Sequence, residues 1–340
     1  MKLLNTTLLV GFFSIQVQAA EWQALPNAAP APADNPTTAE KVELGKMLYM
    51  DPRFSSTGTV SCNSCHNVME GGDDSRRFSM GVHGKIGGRN APTVWNSAFH
   101  SVQFWDGRAP LLEDQAKGPV ANSVEMGMRD VETAMQRVRS IPGYKAYFDK
   151  AFGADSMSVE NAAKAVAAFE RTLITPNSPY DKYVKGNKAA MNAQQIRGME
   201  KFALTGCTSC HSGAAFNGPQ MEIGEGFYAK FPTFNNDYIS KYKLVDDKGR
   251  EEVTGNRAER NMFRVQTLRN ITDTAPYFHN GSVNDLAEAV RVMAKSQLNQ
   301  DLSEKDVNDI VAFLGALTGE YPEITMPRLP ATSGSSIVAD

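Results

Sequence analysis

The chain has 340 residues, of which 41% are hydrophobic and 21% are charged, and its formal net charge at pH 7 is −3. This length is enough for two domains, each with its own core. The mild negative charge argues against a nucleic-acid partner and is compatible with a basic redox partner.

The N-terminus has the pattern of an export signal. Lys2 is followed by an apolar run over residues 3–17, and residues 17–19 (Val-Gln-Ala) place small side chains where a signal peptidase cleaves. We therefore predict a signal peptide over residues 1–19, with an uncleaved membrane anchor as the alternative. No later stretch approaches twenty apolar residues, which predicts a mature protein without membrane insertion.

An irregular arm follows, and then the first predicted helix. Residues 20–38 are rich in Ala and Pro, and residues 322–340 are similarly irregular at the other end of the chain. Thr37-x-x-Glu40 is a capping box that predicts the start of a helix, and Asp51-Pro52 predicts its end. We expect both arms to be extended segments outside the core.

Three more amphipathic helices are predicted further along the chain. One covers about residues 159–173, another begins after Asn192 and ends at Gly206, and the last follows the capping box Ser303-x-x-Asp306. The apolar faces of the four helices carry, in chain order, Val42, Leu44, Met47 and Leu48; Ala162, Val166, Ala167 and Phe169; Ile196, Met199, Phe202 and Ala203; and Val307, Ile310, Val311, Leu314 and Leu317.

All four cysteines lie in two copies of one pattern, Cys62-Asn-Ser-Cys65-His66 and Cys207-Thr-Ser-Cys210-His211. The spacing suits covalent haem attachment, in which two thiols join the vinyl groups of one haem and the next histidine binds the iron. A thioredoxin-like redox pair or a zinc site is the alternative, but neither needs a histidine after each second cysteine. The pattern predicts two covalent c-type haems, and together with the export signal it predicts a periplasmic protein.

The helices and attachment sites predict a mainly α fold of two c-type cytochrome domains with long loops and one haem each. An internal repeat supports a duplication, since Thr93 aligns with Thr267 at an offset of 267 − 93 = 174. The same register aligns Asn96 with Asn270, Phe104 with Phe278, Gly107 with Gly281 and Leu112 with Leu286. The attachment sites are offset by 207 − 62 = 145, so the second half has 174 − 145 = 29 extra residues, which we place within residues 213–260.

The two halves differ where a sixth iron ligand would come from. Met293 lies opposite Pro119 in this register, and we predict that it binds the second haem; ordinary core packing is the alternative. For the first haem the best candidate is His83, on a Gly-rich loop over residues 71–90 that would allow the ligand to be released. A solvated loop histidine is the alternative interpretation of His83, and His100 is a second candidate.

Four further motifs stand out: Gly-Arg-Asn90-Ala-Pro-Thr, Phe104-Trp105-Asp106-Gly107-Arg108, Ser123-Val-Glu125-Met-Gly127 and Ala275-Pro276-Tyr-Phe-His279-Asn-Gly281. With the attachment sites and Met293, they resemble the bacterial dihaem cytochrome c peroxidases, which are related to the MauG-type dihaem enzymes. The resemblance covers essentially the whole mature chain. It implies a peroxidatic domain over residues 20–180, an electron-transfer domain over residues 181–325 and a tail over residues 326–340.

The resemblance also implies roles for individual residues. Hydrogen peroxide would bind above the haem held by His66, and Glu125 would move a proton between its oxygens, first as base and then as acid. Trp105 would assist electron transfer between the haems, unless it only packs the domain interface. Without the resemblance, Glu125 would be a surface glutamate in a turn.

A calcium ion is implied in the same way, held by the Asn90 side chain and the backbone carbonyls of Thr274 and Pro276, since oxygen ligands suit calcium. From its position alone, Asn90 would be a turn residue. His279 lies next to this segment, where it would contact a haem propionate. The implied partners are a small electron-donor protein, either a cytochrome c or a cupredoxin, and a second copy of the chain in a homodimer.

Three functions are consistent with these residues. The first is a peroxidase, and the second is a dihaem electron carrier whose two irons are permanently six-coordinate. The third is a MauG-like enzyme that oxidises a partner protein, but that chemistry is associated with a tyrosine ligand where this chain has Met293. The departure favours the peroxidase.

Overall fold

The structure is a computed structural model that describes residues 22–338, and the predicted signal peptide lies outside these residues. Over the described range the protein is mainly α-helical, as predicted, with twelve α-helices and two short strands. The helices are α1 Ala39–Met50, α2 Cys62–Cys65, α3 Leu112–Ala121, α4 Val131–Arg139, α5 Tyr144–Phe152, α6 Val159–Glu170, α7 Pro179–Val184, α8 Ala193–Thr205, α9 Asp237–Tyr242, α10 Glu251–Thr254, α11 Leu286–Leu298 and α12 Glu304–Gly315. The strands β1 Tyr228–Lys230 and β2 Met262–Arg264 pair antiparallel. No helix within residues 22–338 is long and apolar enough to cross a membrane.

The four predicted helices are present, with corrections at two ends. Helix α1 is capped by Thr38 and not by Thr37, because the Thr38 side chain accepts the Lys41 N–H. Helix α6 ends at Glu170, short of the predicted residue 173, where the Thr172 hydroxyl donates to the Phe169 carbonyl. Helices α8 and α12 begin at the predicted caps.

Two pairs of crossing helices form the framework of the molecule. Helix α1 crosses α6, and α8 crosses α12, and each pair approaches closely at a glycine of its first helix. A Cβ atom at Gly45 would collide with the carbonyl oxygen of Ala165, and one at Gly198 would collide with that of Asp309. The side chains around each pair form a separate hydrophobic core.

Residues that align at the offset of 174 have matching backbone conformations. Asn96 and Asn270 are both fully buried in the left-handed region, with φ of 62° and 58°. Asn96 Nδ2 donates to Thr175 Oγ1 over 2.8 Å, and that hydroxyl donates to Asn270 Oδ1 over 2.6 Å. Phe104 and Phe278 likewise have φ of 68° and 70°. Equivalent turns of the two halves therefore meet at Thr175.

The polar stretch over residues 213–260 extends from the second half to the first. It contains β1, α9 and α10. Arg89 of the first half forms an ion pair with Asp106 of its own half and another, over 2.6 Å, with Asp247 of this stretch. The contact fixes the stretch beside the Gly-rich loop that ends near Arg89.

Both arms reach the core, contrary to the expectation that they lie outside it. In the N-terminal arm Leu25 is fully buried, and Trp22 packs edge-on against Tyr180 and Phe313 of the second half. The C-terminal arm runs back along the first half, whose core it contacts through Ile324, Leu329 and Ile337. Each arm therefore covers the half that is distant from it in sequence.

The predicted boundary between residues 180 and 181 falls inside α7. Tyr180 is buried in the core of the second half. Asp181 forms a fully buried ion pair with Arg269 over 2.8 Å, and it also accepts the Leu25 N–H over 2.9 Å. Helix α7 therefore belongs with the second half and ties the N-terminal arm to it.

Candidate functional site

The first cysteine pair lines a cavity of about 490 Å³ in the first half. The short helix α2 presents Cys62 and Cys65 to this cavity. His66, directly after the helix, lines the cavity too. His66 Nδ1 lies 2.9 Å from the Pro92 carbonyl oxygen, which places the proton on Nδ1 and leaves Nε2 free to bind a metal. Burial lowers the pKa of His66, so the ring is neutral, as a ligand must be.

The second cysteine pair lines a cavity of about 240 Å³ in the second half, together with His211. His211 Nδ1 lies 3.0 Å from the Phe216 carbonyl oxygen, and burial lowers the pKa of this histidine too. Burial raises the pKa of Cys62 and Cys207 to about 12. Zinc binding requires the thiolate, which a raised pKa disfavours.

Both cavities present buried donors that no described residue satisfies. Three such atoms have no hydrogen-bond partner among residues 22–338: Arg264 Nη1, Gln266 Nε2 and His279 Nε2. All three residues line the second cavity, and Arg264 lines the first as well. Because an unsatisfied buried donor is costly, these atoms need an acceptor, and haem propionates would supply one. The residues present therefore fit a haem in each cavity.

Met293 lines the second cavity with His211, and so do Leu286 and Val290 from the same face of α11. At the corresponding position of the first half, Pro119 of α3 lines the first cavity. Its ring carries no atom that could bind iron. The structure thus brings Met293 to the cavity of His211 and gives the first cavity no counterpart from α3.

Glu125 lines the first cavity between Val124 and Met126, which line it too. Its backbone N–H donates to the Asn122 carbonyl over 3.1 Å in a tight turn. Burial raises the pKa of the Glu125 carboxyl group, and the guanidinium of Arg108 opposes that shift. A carboxyl group whose pKa is raised toward neutrality can both accept and donate a proton.

His83 is exposed and lies outside the residues that line the first cavity. It forms a tight turn, with φ of 56°, at the tip of a loop closed by the hydrogen bond from the Gly81 N–H to the Lys85 carbonyl. The loop is attached beside Glu125, whose carbonyl accepts the Val82 N–H over 2.9 Å. The structure therefore does not bring His83 together with His66.

His100, the second candidate for the first haem, does line the first cavity. Its Nδ1 atom lies 3.0 Å from Asn217 Nδ2, which also donates to the Phe99 carbonyl. Nδ1 therefore accepts and Nε2 carries the proton. Burial lowers the pKa of His100 well below its ordinary value.

Trp105 lines both cavities. Its indole Nε1 donates to the Asn90 carbonyl over 2.9 Å, and its ring meets Phe263 and His279 edge-on. The position between the cavities serves the predicted electron-transfer role and the interface-packing alternative equally well.

The three residues expected to hold calcium, Asn90, Thr274 and Pro276, all line the second cavity. Asn90 Nδ2 donates to the Arg76 carbonyl over 2.9 Å, and the side-chain oxygen Oδ1 takes no part in this hydrogen bond. No donor within residues 22–338 bonds to Asn90 Oδ1 or to the carbonyl oxygens of Thr274 and Pro276. Uncharged oxygens without protein donors suit a calcium ion.

Sequence reasoning missed three charged residues that line the first cavity, Glu170, Glu252 and Arg264. Glu170 lies four residues after Val166, on the apolar face of α6, and a charge on such a face was the available signal. Arg264 belongs to β2, in a stretch without clear periodicity, and no pattern in the sequence would have indicated it.

A family model for di-haem cytochrome c peroxidases matches residues 39–189. The cytochrome c551 peroxidase of Nitrosomonas europaea is 42% identical over 339 residues, which cover 98% of each protein. The cytochrome c551 peroxidase of Pseudomonas aeruginosa is 41% identical over 317 residues, covering 93% of this chain and 89% of that protein. A solved structure of a MauG-like protein associated with microbial copper homeostasis superposes with a TM-score of 0.76 at 28% identity, covering 87% of this chain and 95% of that one.

Proposed function

Because the chain belongs to the di-haem cytochrome c peroxidase family, we propose that it reduces hydrogen peroxide to water with electrons from a small redox protein, either a cytochrome c or a cupredoxin. The reaction combines one peroxide, two protons and two electrons into two water molecules. The observation that carries the proposal is the asymmetry of the cavities. Met293 faces the second, whereas the first has Pro119 at that position and a partly buried acid, Glu125.

Glu125 performs the proton transfer in this proposal. A haem bound at His66 would supply the iron that binds peroxide and passes electrons to it. Glu125 removes the proton from one peroxide oxygen and returns it to the other, which leaves as water. The apolar neighbours Val124 and Met126 line the cavity on either side of the carboxyl group.

The second half would deliver the electrons. Met293 and His211 would hold the iron of its haem, and a thioether ligand raises the reduction potential of a haem. The placement of both residues on one cavity supports this assignment. Trp105, which borders both cavities, would lie on the electron path between them.

His83 would be a ligand that the first iron can lose. Its exposed position on a Gly-rich turn supports a state in which it is released. The attachment of that turn to Glu125 through Val82 means that movement of His83 toward His66 would also move the turn that borders the acid.

Calcium bound by Asn90, Thr274 and Pro276 would join the two halves. The free oxygens of these residues support the proposal, and so does the Asn90 N–H, which donates to the His279 carbonyl over 2.8 Å across the two repeats. Treatment with a calcium chelator should lower the thermal unfolding temperature, and added calcium should restore it. An unchanged transition after verified calcium removal would argue against this site.

The remaining expectations belong to the same proposal: a duplicated pair of haem domains, export to the periplasm and a homodimer. The matched turns at Asn96 and Asn270 and the matched crossings at Gly45 and Gly198 support the duplication. The export pattern over residues 1–19 supports the location.

The electron carrier and the MauG-like enzyme remain the alternatives. A carrier would have no use for a cavity carboxyl group whose pKa is raised, and Glu125 therefore favours the peroxidase. Met293, in place of tyrosine, weighs against the MauG-like chemistry.

The proposal is tested by mixing a reduced small c-type cytochrome with peroxide and the purified dihaem protein, with and without prior reduction. The wild type should accelerate cytochrome oxidation, and Glu125→Gln should slow turnover by about 100-fold or more while both haem spectra stay unchanged. Glu132→Gln, on the surface beside Arg139, is the matched control and should keep full activity. An inactive wild type would refute the peroxidase, and an active Glu125→Gln would remove Glu125 from the mechanism.

A further inference from the structure

Helices α6 and α12 meet the two cavities in the same way. Ala165 of α6 and Asp309 of α12 hold equivalent places, because each supplies the carbonyl oxygen that faces the glycine of its helix crossing. The offset between the two helices is therefore 309 − 165 = 144. At this offset Val166 corresponds to Ile310, and these two residues line the first and the second cavity respectively.

One turn further along, the two helices differ. Leu314 lines the second cavity, as expected for an apolar helix face, whereas the equivalent residue in the first cavity is Glu170. A leucine at this place needs no partner. A carboxyl group does, because burying it without a hydrogen bond costs free energy.

Glu170 has no such partner. The residue is 5% exposed, and its Oε2 atom makes no hydrogen bond within residues 22–338. Burial raises the pKa of Glu170 to about 8. The guanidinium of Arg171 opposes the shift, but it is held 2.8 Å from Glu113 in a buried ion pair and is not shared with Glu170.

Other titratable groups lie around Glu170. Helix α3 contributes Glu113, which Arg171 already pairs, and helix α1 contributes Tyr49, whose hydroxyl donates to the His66 carbonyl over 2.7 Å. Burial holds the pKa of Tyr49 well above its ordinary value.

The wall of the cavity adds the thiols of Cys62 and Cys65, the rings of His66 and His100, the carboxyl groups of Asp106, Glu125 and Glu252, and the guanidinium groups of Arg89, Arg108 and Arg264. Cys62 loses its titratable proton once a thioether forms. Cys65 loses its proton in the same way. Asp106 and Glu252 are paired with Arg89, and burial lowers the pKa of His66 and His100, which keeps both rings neutral. Glu170 and Glu125 are the cavity carboxyl groups whose pKa burial raises.

We propose that Glu170 takes up a proton when an electron enters the first haem site. One electron arrives from the small donor protein and one proton arrives from solvent, and the carboxylate becomes a carboxylic acid; both steps reverse on oxidation. The physical reason is charge balance in a medium of low dielectric constant, where a nearby carboxylate favours the more positive state of the site and a neutral acid favours the reduced one. Glu170 acts by changing the charge near the haem, and it does not touch peroxide.

This inference rests on the two-haem site of the proposed function but not on peroxide turnover. The holoprotein is titrated optically with a chemical reductant, without peroxide, from about pH 6 to about pH 10, a range that brackets the pKa of about 8. The slope of reduction potential against pH gives the protons taken up per electron. In the wild type the slope for the first haem should approach the value for one proton taken up per electron. The slope for the second haem, which faces Leu314, is the internal reference.

Glu170→Gln should bring the slope for the first haem close to that of the second, and Glu125→Gln should leave it near the wild-type value. Glu170→Leu, which copies Leu314, serves if the glutamine variant does not fold, and the reverse change Leu314→Glu should steepen the slope for the second haem. An unchanged slope in both Glu170 variants, or its loss in Glu125→Gln alone, would overturn the proposal. A protein that shows the Glu170-dependent slope but no turnover would refute the peroxidase and leave this inference standing.

Discussion

Asp73 shows how a single buried acid affects the whole protein. It is 1% exposed, and neither carboxylate oxygen has a hydrogen-bond partner within residues 22–338. Burial raises the pKa of Asp73 from 3.8 to about 6. Between these two values the folded protein holds a proton that the unfolded chain has lost. The free energy of unfolding therefore falls as pH rises from about 4 to about 6, and it stays lowered above that range.

Replacing Asp73 with Asn should remove this dependence. At pH 8 the variant should be more stable than the wild type by up to roughly 3 kcal/mol, which is the free energy of a shift of about two pKa units. At pH 4 the two proteins should be nearly equal. Denaturant unfolding at both values measures the difference, and Asp74→Asn, next along the chain and partly exposed, is the control. An equal gain at both pH values would show that a titrating carboxylate is not the cause.

Single residues were predictable where covalent chemistry sets their spacing. The two cysteine pairs and their histidines each line a cavity, as the pattern required. The sequence could not place His83, because a Gly-rich loop admits many conformations and the observed one exposes it. It also missed Glu170, since the importance of that residue depends on which helix face meets the cavity.

At the scale of elements, the two helix crossings depend on close backbone approach. Gly198 lets α8 approach the carbonyl oxygens of α12, and any side chain there must push the helices apart. A Cβ atom added at Gly315, at the end of α12, would lie 3.9 Å from Thr272 Cγ2, which is an ordinary contact distance. The two glycines therefore differ in what they allow, although both lie in helices.

Gly198→Ala should destabilise the protein by about 1–3 kcal/mol or more, because overpacking at the crossing outweighs the better helix propensity of alanine. Gly315→Ala should be neutral or stabilising by up to about 1 kcal/mol. Thermal unfolding followed by circular dichroism compares them. If Gly198→Ala matched Gly315→Ala, the close approach would not be essential to the fold.

The helices themselves were largely predictable because caps and apolar periodicity are local signals. The predicted caps Asn192 and Ser303 are the observed ones. The choice of Thr38 over Thr37 was not predictable, since two adjacent threonines offer the same hydroxyl and only the backbone conformation decides. The crossings require two distant helices to meet, which no local pattern specifies.

At the scale of the whole molecule, the N-terminal arm is part of the second core. Leu25→Ala should therefore cost about 2–5 kcal/mol of stability, the range for a buried leucine that leaves a cavity. The loss should appear in the unfolding of the second half, monitored by the spectrum of the haem proposed at His211. Gln23→Ala, at an exposed position of the same arm, should change stability by less than about 0.5 kcal/mol. Equal effects of the two substitutions would exclude the buried contact as the cause.

The repeated attachment site and the register of 174 residues predict a division into two halves, and the structure has a separate hydrophobic core around each helix pair. The contact of each arm with the opposite half could not be predicted from the sequence. A stretch rich in Ala and Pro indicates an extended chain but not its destination, and Trp22 and Leu25 find an apolar surface only after α7 and α12 are in place.

The crossed arms also affect how the protein can be made and rearranged. Trp22 and its partner Phe313 are separated by 313 − 22 = 291 positions, so the first segment of the described chain to be synthesised waits for almost the last before it is buried. We expect the cysteines to meet their cofactors on a chain that is still open. A gene fragment encoding one half would lack the arm that covers that half, because that arm lies at the other end of the chain. An exchange of halves between relatives would therefore have to include, with each half, the arm that covers it.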